Sequence, residues 1–159
     1  MKGVIHIYSS ALLGGAVYKL SQSLEISVIT FLCGFLIDID HVFDYLILAK
    51  KDFSIKNLLS WCYNNEWEII FLFFHSYELY FLLGIITYYF PNGILIGLML
   101  GTGVHLILDQ IWNCHLRSEF RVSPWFYFLT YRVYYGFRKD KLCNENNGVI
   151  KSFSFGEER

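Results

Sequence analysis

Four stretches of this 159-residue chain are apolar enough to lie in a bilayer, and seven ionisable side chains sit inside them: His6, Asp38, Asp40, His41, His75, His105 and Asp109. A charged group in hydrocarbon costs roughly 2.5–3.5 kcal/mol on insertion scales, so a fold that tolerates seven needs a common reason for them. Histidine and carboxylate together are the ligand set of a zinc-like divalent metal. The pattern predicts a metal site built between transmembrane helices.

The bulk of the chain agrees with that setting. It is 55% hydrophobic and 19% aromatic, with a mean hydropathy of +0.39. These values are too apolar for an ordinary soluble domain and fit a polytopic membrane protein. A net charge of −1 offers no global basic surface, so no nucleic-acid partner is expected. Cys33, Cys62, Cys114 and Cys143 are far apart and form no Cys-x-x-Cys pair, which indicates neither a disulfide framework nor a cysteine zinc site. Lys2 followed by an apolar run resembles a signal peptide. No convincing small-x-small cleavage site precedes Lys19, however, and cleavage would discard His6, so a retained first helix is the better reading.

The predicted fold is all-α, a polytopic bundle of about four spans with an interfacial C-terminal helix. The first apolar segment runs from Val4 to Leu20. The second runs from Leu24 to Phe35, is interrupted at Asp38-Ile39-Asp40-His41 and resumes from Val42 to Ala49, either as one long helix or as a span ending near Asp38. The third is Trp67 to Phe90, and after a tight turn at Pro91-Asn92-Gly93 the fourth runs from Ile94 to near Trp112. Three regions follow: a transmembrane helical domain over 1–116, an aromatic interfacial helix over 117–143 begun by Ser123-Pro124, and a polar tail over 144–159. Lys50, Lys51 and Lys56 lie between spans two and three, and Arg117, Arg121, Arg132, Arg138, Lys139 and Lys141 follow span four. The positive-inside rule then places both termini in the cytoplasm. In that topology His75, Glu78, His105 and Asp109 all lie about 10–17 Å below the cytoplasmic edge, at a rise of about 1.5 Å per residue.

Spacing groups the polar residues. His105-x-x-x-Asp109 leaves one helix face and can reach a single ion, or else forms an internal hydrogen bond. On a helix Asp38 and His41 share a face while Asp40 points away, towards a second metal or an outer layer of contacts. The alternative is a polar turn between two helices, which nearby Asp44 favours. His75-x-x-Glu78 reverses the Glu-x-x-His of di-metal bundles, and Glu78 is a ligand, a general base or a protonated carboxyl. His6 is a ligand contributed by the first helix, whereas His115 reads as an interface residue. Gly97-x-x-x-Gly101, with Gly103 beyond, allows close helix approach.

The order His6, Asp38-Ile39-Asp40-His41, His75-Ser76 and His105-x-x-x-Asp109 resembles the bacterial membrane-bound metal-dependent hydrolase family. The usual motifs of that family are an early His, Pro-Asp-x-Asp-His, His-Arg-x-x-Thr-His-Ser and His-x-x-x-Asp. The family is itself distantly similar to zinc-dependent phospholipase C and the single-strand nucleases of the same all-helical fold. The resemblance covers roughly residues 1–115. Ile37 replaces the proline, Ile70 stands where the first histidine of the third motif belongs, and Phe74 replaces its threonine. The resemblance implies metal-dependent hydrolysis, of a phosphoester in a small or lipid-like substrate taken from the membrane lipid. It also implies a divalent metal, zinc by type, held by His6, Asp38, His41, His75, His105 and Asp109. Asp40, itself a possible ligand, or Glu78 would accept a proton or orient a ligand. The rival readings are a metal or proton transporter and a structural membrane protein with a decayed site. A transporter needs polar residues to continue to the far face, and Leu79–Phe90 and Ile94–Val104 contain no charged residue or histidine.

Overall fold

Helix starts are written into the chain as short polar residues followed by apolar runs. Ser23, Ser76 and Asn92 sit in extended backbone and accept from the amides of Ile26, Leu79 and Leu95, each meeting one of the donors that a helix start leaves open. The computed structural model describes residues 3–49, 53–64, 66–116 and 120–145. The main elements are α1 (Gly3–Ser21), α2 (Leu24–Leu36), α3 (Ile39–Leu48), α4 (Ile55–Tyr63), α5 (Tyr77–Tyr89) and α6 (Gly93–Ile111). A π-helical turn, Trp112–Leu116, extends α6. The chain is mostly helical. By length and composition two helices can cross a membrane, Leu24–Leu48 with 25 residues and Gly93–Leu116 with 24.

Helices α2 and α6 pack along each other at the centre, with α1 against α2 and α5 against α6. The glycines of α6 set that approach, as their spacing predicted. A Cβ on Gly101 would stand 2.5 Å from the Thr30 carbonyl oxygen, and one on Gly97 would stand 2.7 Å from Ile29 Cβ. A Cβ on Gly15 would meet nothing within 4 Å. Gly101→Ala is therefore expected to push α2 and α6 apart and cost about 1–3 kcal/mol, as overpacking does. Gly15→Ala should be neutral or stabilising, and thermal unfolding of the two purified variants compares them.

Three expectations need correction. The segment Leu24–Leu48 continues past Asp38 with the motif inside it, as the first of the two alternatives has it, but it is not uniform. It turns at Ile37–Asp38, where the amides of Asp38, Asp40 and His41 bond three residues back to Phe35, Ile37 and Asp38, and then continues as α3. The third predicted span, Trp67–Phe90, is not one helix. Residues 66–76 are irregular and only Tyr77–Tyr89 is helical. At 13 residues, α5 is about 20 Å long, short of the roughly 30 Å hydrocarbon core. Residues 69–74 are as apolar as a span, but backbone groups of Phe71, Leu72, Phe74 and His75 are claimed by Asp40, Asp44 and Arg132.

The predicted interfacial helix is instead a folded cap. Strands β1 (Phe120–Val122) and β2 (Cys143–Glu145) pair antiparallel and enclose a 3-10 turn (Pro124–Tyr127), α7 (Leu129–Tyr134) and α8 (Lys139–Leu142). Ser123 does begin helical structure, accepting from the Trp125 amide ahead of Pro124. The chain then reverses after α7, where Gly136 and Phe137 adopt φ of 63° and 59°. Phe137 accepts the Ile70 amide at 2.9 Å, and Ile69 pairs with Arg138. Arg132 is fully buried beneath this cap. Lys50, Lys51, Arg117 and the tail from residue 146 lie outside the described residues.

The largest continuous core lies under the cap and joins Ile70, Leu72, Leu106, Phe126, Tyr127 and Leu142. The rest of the bundle turns apolar side chains outward, among them Leu12 (78% exposed), Leu20 (86%), Phe81 (62%) and Tyr88 (80%). Helices apolar on their outer faces are what a lipid solvent favours.

Candidate metal centre

Antiparallel packing brings the start of α1 and the start of α5 to the ends of α2 and α6. His6 lies in the first turns of α1, Asp38 at the N-cap of α3, and His41 one turn further on. His75 immediately precedes the N-cap of α5, and His105 and Asp109 lie one turn apart on α6. His6, His75, His105 and Asp109 are buried, while Asp38 and His41 are half-buried and form the open edge.

The cluster converges closely. His75 Nε2 lies 3.0 Å from His105 Nε2, 3.4 Å from Asp38 Oδ1 and 3.6 Å from Asp109 Oδ2. His105 Nε2 lies 3.5 Å from Asp38 Oδ1 and 3.7 Å from Asp109 Oδ2. These are five edges of a tetrahedron. Ligands 2.0–2.2 Å from one tetrahedral ion would be about 3.3–3.6 Å apart. His6 Nε2 joins at 3.0 Å from Asp109 Oδ1, with its ring stacked on His105 at a centroid distance of 4.0 Å. His41 Nε2 stands 3.9 Å from Asp38 Oδ1. Among the described residues two overlapping sets could hold a metal ion, His6–Asp38–His105–Asp109 and Asp38–His41–His75, each with ligand atoms within 4.8 Å of one another.

Hydrogen-bond partners orient the two central rings. His75 Nδ1 faces Asp40 Oδ2 at 3.1 Å, and His105 Nδ1 faces the Gly34 carbonyl at 2.8 Å. Both partners are acceptors, so each Nδ1 donates. The two Nε2 atoms face each other across 3.0 Å, with two carboxylates beside them. Groups this close need positive charge among them, either a proton on a ring nitrogen or a metal ion. A divalent ion balances two carboxylates, so the donor set fits one. A carboxylate or carbonyl behind each metal-binding imidazole is also the usual device for fixing its tautomer and tilt.

Asp40 takes that outer position. Its Oδ2 also accepts the amides of Phe74 (2.6 Å) and His75 (3.2 Å), so that oxygen is engaged with the His75 ring and the 74–75 backbone. Glu78, expected as base or ligand, is not brought to the cluster. Its carboxylate accepts the amides of Leu129 and Thr130, at 2.8 and 2.9 Å. It lies in the first turn of α5 rather than near the middle of a span. Ile70, at the position of the missing histidine, is 1% exposed in the apolar core, and Phe74 is 47% exposed. His115 is exposed.

Three contributors escaped the sequence reading. The Gly34 carbonyl orients His105, and its only signal is a position one turn before Asp38. Asp44 Oδ2 accepts the amides of Phe71 (2.9 Å) and Leu72 (3.2 Å). Arg132 donates to the carbonyls of Phe71 (2.5 Å), Leu72 (2.7 Å) and His75 (3.1 Å). Burial pushes the Arg132 guanidinium down to about 10, against the upward pull of Asp40, Glu78 and Asp44, so it stays charged at neutral pH. The i, i+4 pair Asp40 and Asp44 with no cation in helical reach, and one arginine inside an aromatic run, were the available hints.

Comparison with family models, with curated proteins and with solved structures found no match to this chain.

Proposed function

We propose that this chain is a metal-dependent hydrolase of the bacterial inner membrane, acting on a phosphoester in a lipid-like substrate with zinc as its ion. The observation that carries the metal is the convergence of two imidazole Nε2 atoms, 3.0 Å apart, with the carboxylates of Asp38 and Asp109 at near-tetrahedral spacing. His6, Asp38, His75, His105 and Asp109 would hold it, with His41 at the open edge beside Asp38. Bound there, such an ion would lower the pKa of a water towards about 7 and polarise a phosphoryl oxygen. Asp40 and the Gly34 carbonyl fix the two rings, and the buried histidines keep that side of the centre closed to bulk water. The half-open edge at Asp38 and His41 is where a headgroup would enter. Hydrolysis rather than transport is favoured by the motif order and by the lack of any charged residue or histidine in Leu79–Phe90 and Ile94–Val104.

In this reading α1, α2–α3, α5 and α6 are four crossing elements with both termini cytoplasmic. The irregular 66–76 segment is tolerated at depth because protein groups satisfy its backbone. The full-length chain, purified in detergent, is expected to carry zinc and to release product from a phosphodiester lipid analogue, and chelation should stop the release. A zinc-loaded protein inert towards every class of phosphoester would remove the hydrolase reading, and a protein that retains no divalent ion would remove the centre. Cysteines placed near Asp109, in a background without native thiols, should react with an impermeant reagent only from the cytoplasmic face. Labelling from both faces would favour a transporter.

A further inference from the structure

Glu78 is a half-buried carboxylate that the proposed chemistry does not use, and what it touches gives it a different role. Helix α7 begins with Phe128 at its N-cap, which supplies no side-chain acceptor. The first amides of that helix are met from outside. Glu78 Oε2 accepts Leu129 N–H at 2.8 Å, and Oε1 accepts Thr130 N–H at 2.9 Å and the Thr130 hydroxyl at 2.8 Å. Less than one turn further along α7, Arg132 sends its guanidinium into the 71–75 segment and ends on the His75 carbonyl at 3.1 Å. The opposite side of that segment is held by Asp40 and Asp44 through the amides of Phe71, Leu72, Phe74 and His75. The path closes on itself, since Glu78 lies on the helix that His75 leads into. His75 is thus fixed by its ring through Asp40, and by its main chain through a ring of contacts that runs from Glu78 to α7 to Arg132.

We propose that Glu78 and Arg132 are positioning residues of the metal centre, with Glu78 capping α7 in place of an N-cap residue so that Arg132 sets the His75 backbone. This rests on the metal reading above, and adds that the C-terminal cap, outside the motif region, is part of what makes the ligand set competent.

Cobalt(II) uptake by the full-length protein in detergent, followed by visible absorption, tests it. Wild type is expected to bind and to give the intense bands of a low-coordinate site. Glu78→Ala should weaken cobalt affinity by about 10–100-fold, the usual loss for an outer contact, and alter the bands. The double variant Glu78→Ala with Phe128→Asp should recover most of both. Phe128 already has the extended backbone of an N-cap, with φ −92° and ψ 122°, and aspartate there would accept the amides that Glu78 released. A base or ligand role for Glu78 cannot be rescued from residue 128. If Glu78→Ala does not fold, Arg132→Lys replaces it. Lysine keeps the charge without the fork, and a loss of about 10-fold is expected on the same outer-contact scale. Wild-type affinity and bands in Glu78→Ala or Arg132→Lys would overturn the proposal alone, as would a folded double variant that recovers nothing. A wild-type chain that takes up no cobalt would overturn the metal reading and the proposal with it.

Discussion

Asp109→Asn is expected to lower divalent-metal affinity by on the order of 100-fold or more, beyond the 10–100-fold that outer contacts command. Asp109 is the residue on which the histidines meet. Its Oδ1 lies 3.0 Å from His6 Nε2, and its Oδ2 lies 3.6 and 3.7 Å from His75 and His105. Asparagine keeps the volume but removes one of two charges beside the paired imidazole nitrogens, and it can turn an NH2 donor towards a cation. At 4% exposure, Asp109 has little access to bulk water that could substitute. Competition with a chromophoric chelator measures the effect. An Asp109→Asn protein with wild-type affinity would place the ion elsewhere, in the set of Asp38, His41 and His75.

Arg132→Met should cost about 3–5 kcal/mol of stability, the penalty for breaking a buried charged network from one side. For a chain of this size that corresponds to a fall of about 10 °C in the unfolding midpoint. Methionine fills the space but donates nothing, so three buried carbonyls lose their partner and Asp40 and Asp44 lose their nearby cation. Lysine should recover only part, because one ammonium cannot span acceptors at residues 71, 72 and 75 as a planar fork does. Thermal unfolding of the metal-free proteins separates this cost from metal binding. A midpoint within 2 °C of wild type, well inside the effect argued from buried-pair energetics, would show the network to be dispensable.

Sequence reasoning served best where one helix carries its own explanation. Gly97, Gly101, His105 and Asp109 share α6, so helical spacing alone placed the packing face and brought His105 and Asp109 to one side of the helix. It also grouped Asp38 with His41 and set Asp40 apart; in the structure Asp40 Oδ2 contacts the Phe74 and His75 amides and the His75 ring. It failed where distant residues override local preference. The stretch Ile69–Phe74 contains no proline or glycine and is as apolar as a span. What keeps it irregular lies 27 to 61 residues away, in the side chains of Asp44, Asp40 and Arg132. Glu78 was misplaced for the same reason, because drawing the span from Trp67 put it at mid-membrane. In the cap, an aromatic run with one arginine reads as an interfacial helix unless the reversal at Gly136 and Phe137 is known.

The dependence of His75 on Arg132 sets an order of events during synthesis. A nascent chain that has released Asp109 already carries every histidine and aspartate of the cluster, and its apolar helices can already enter the bilayer. The 71–75 backbone still lacks the donor for its carbonyls, which emerges 23 residues later by the numbering. If Arg132 positions His75 as proposed, maturation of the site waits on the C-terminal cap. Until then the chain would be a bundle with its histidines and aspartates gathered but not yet held.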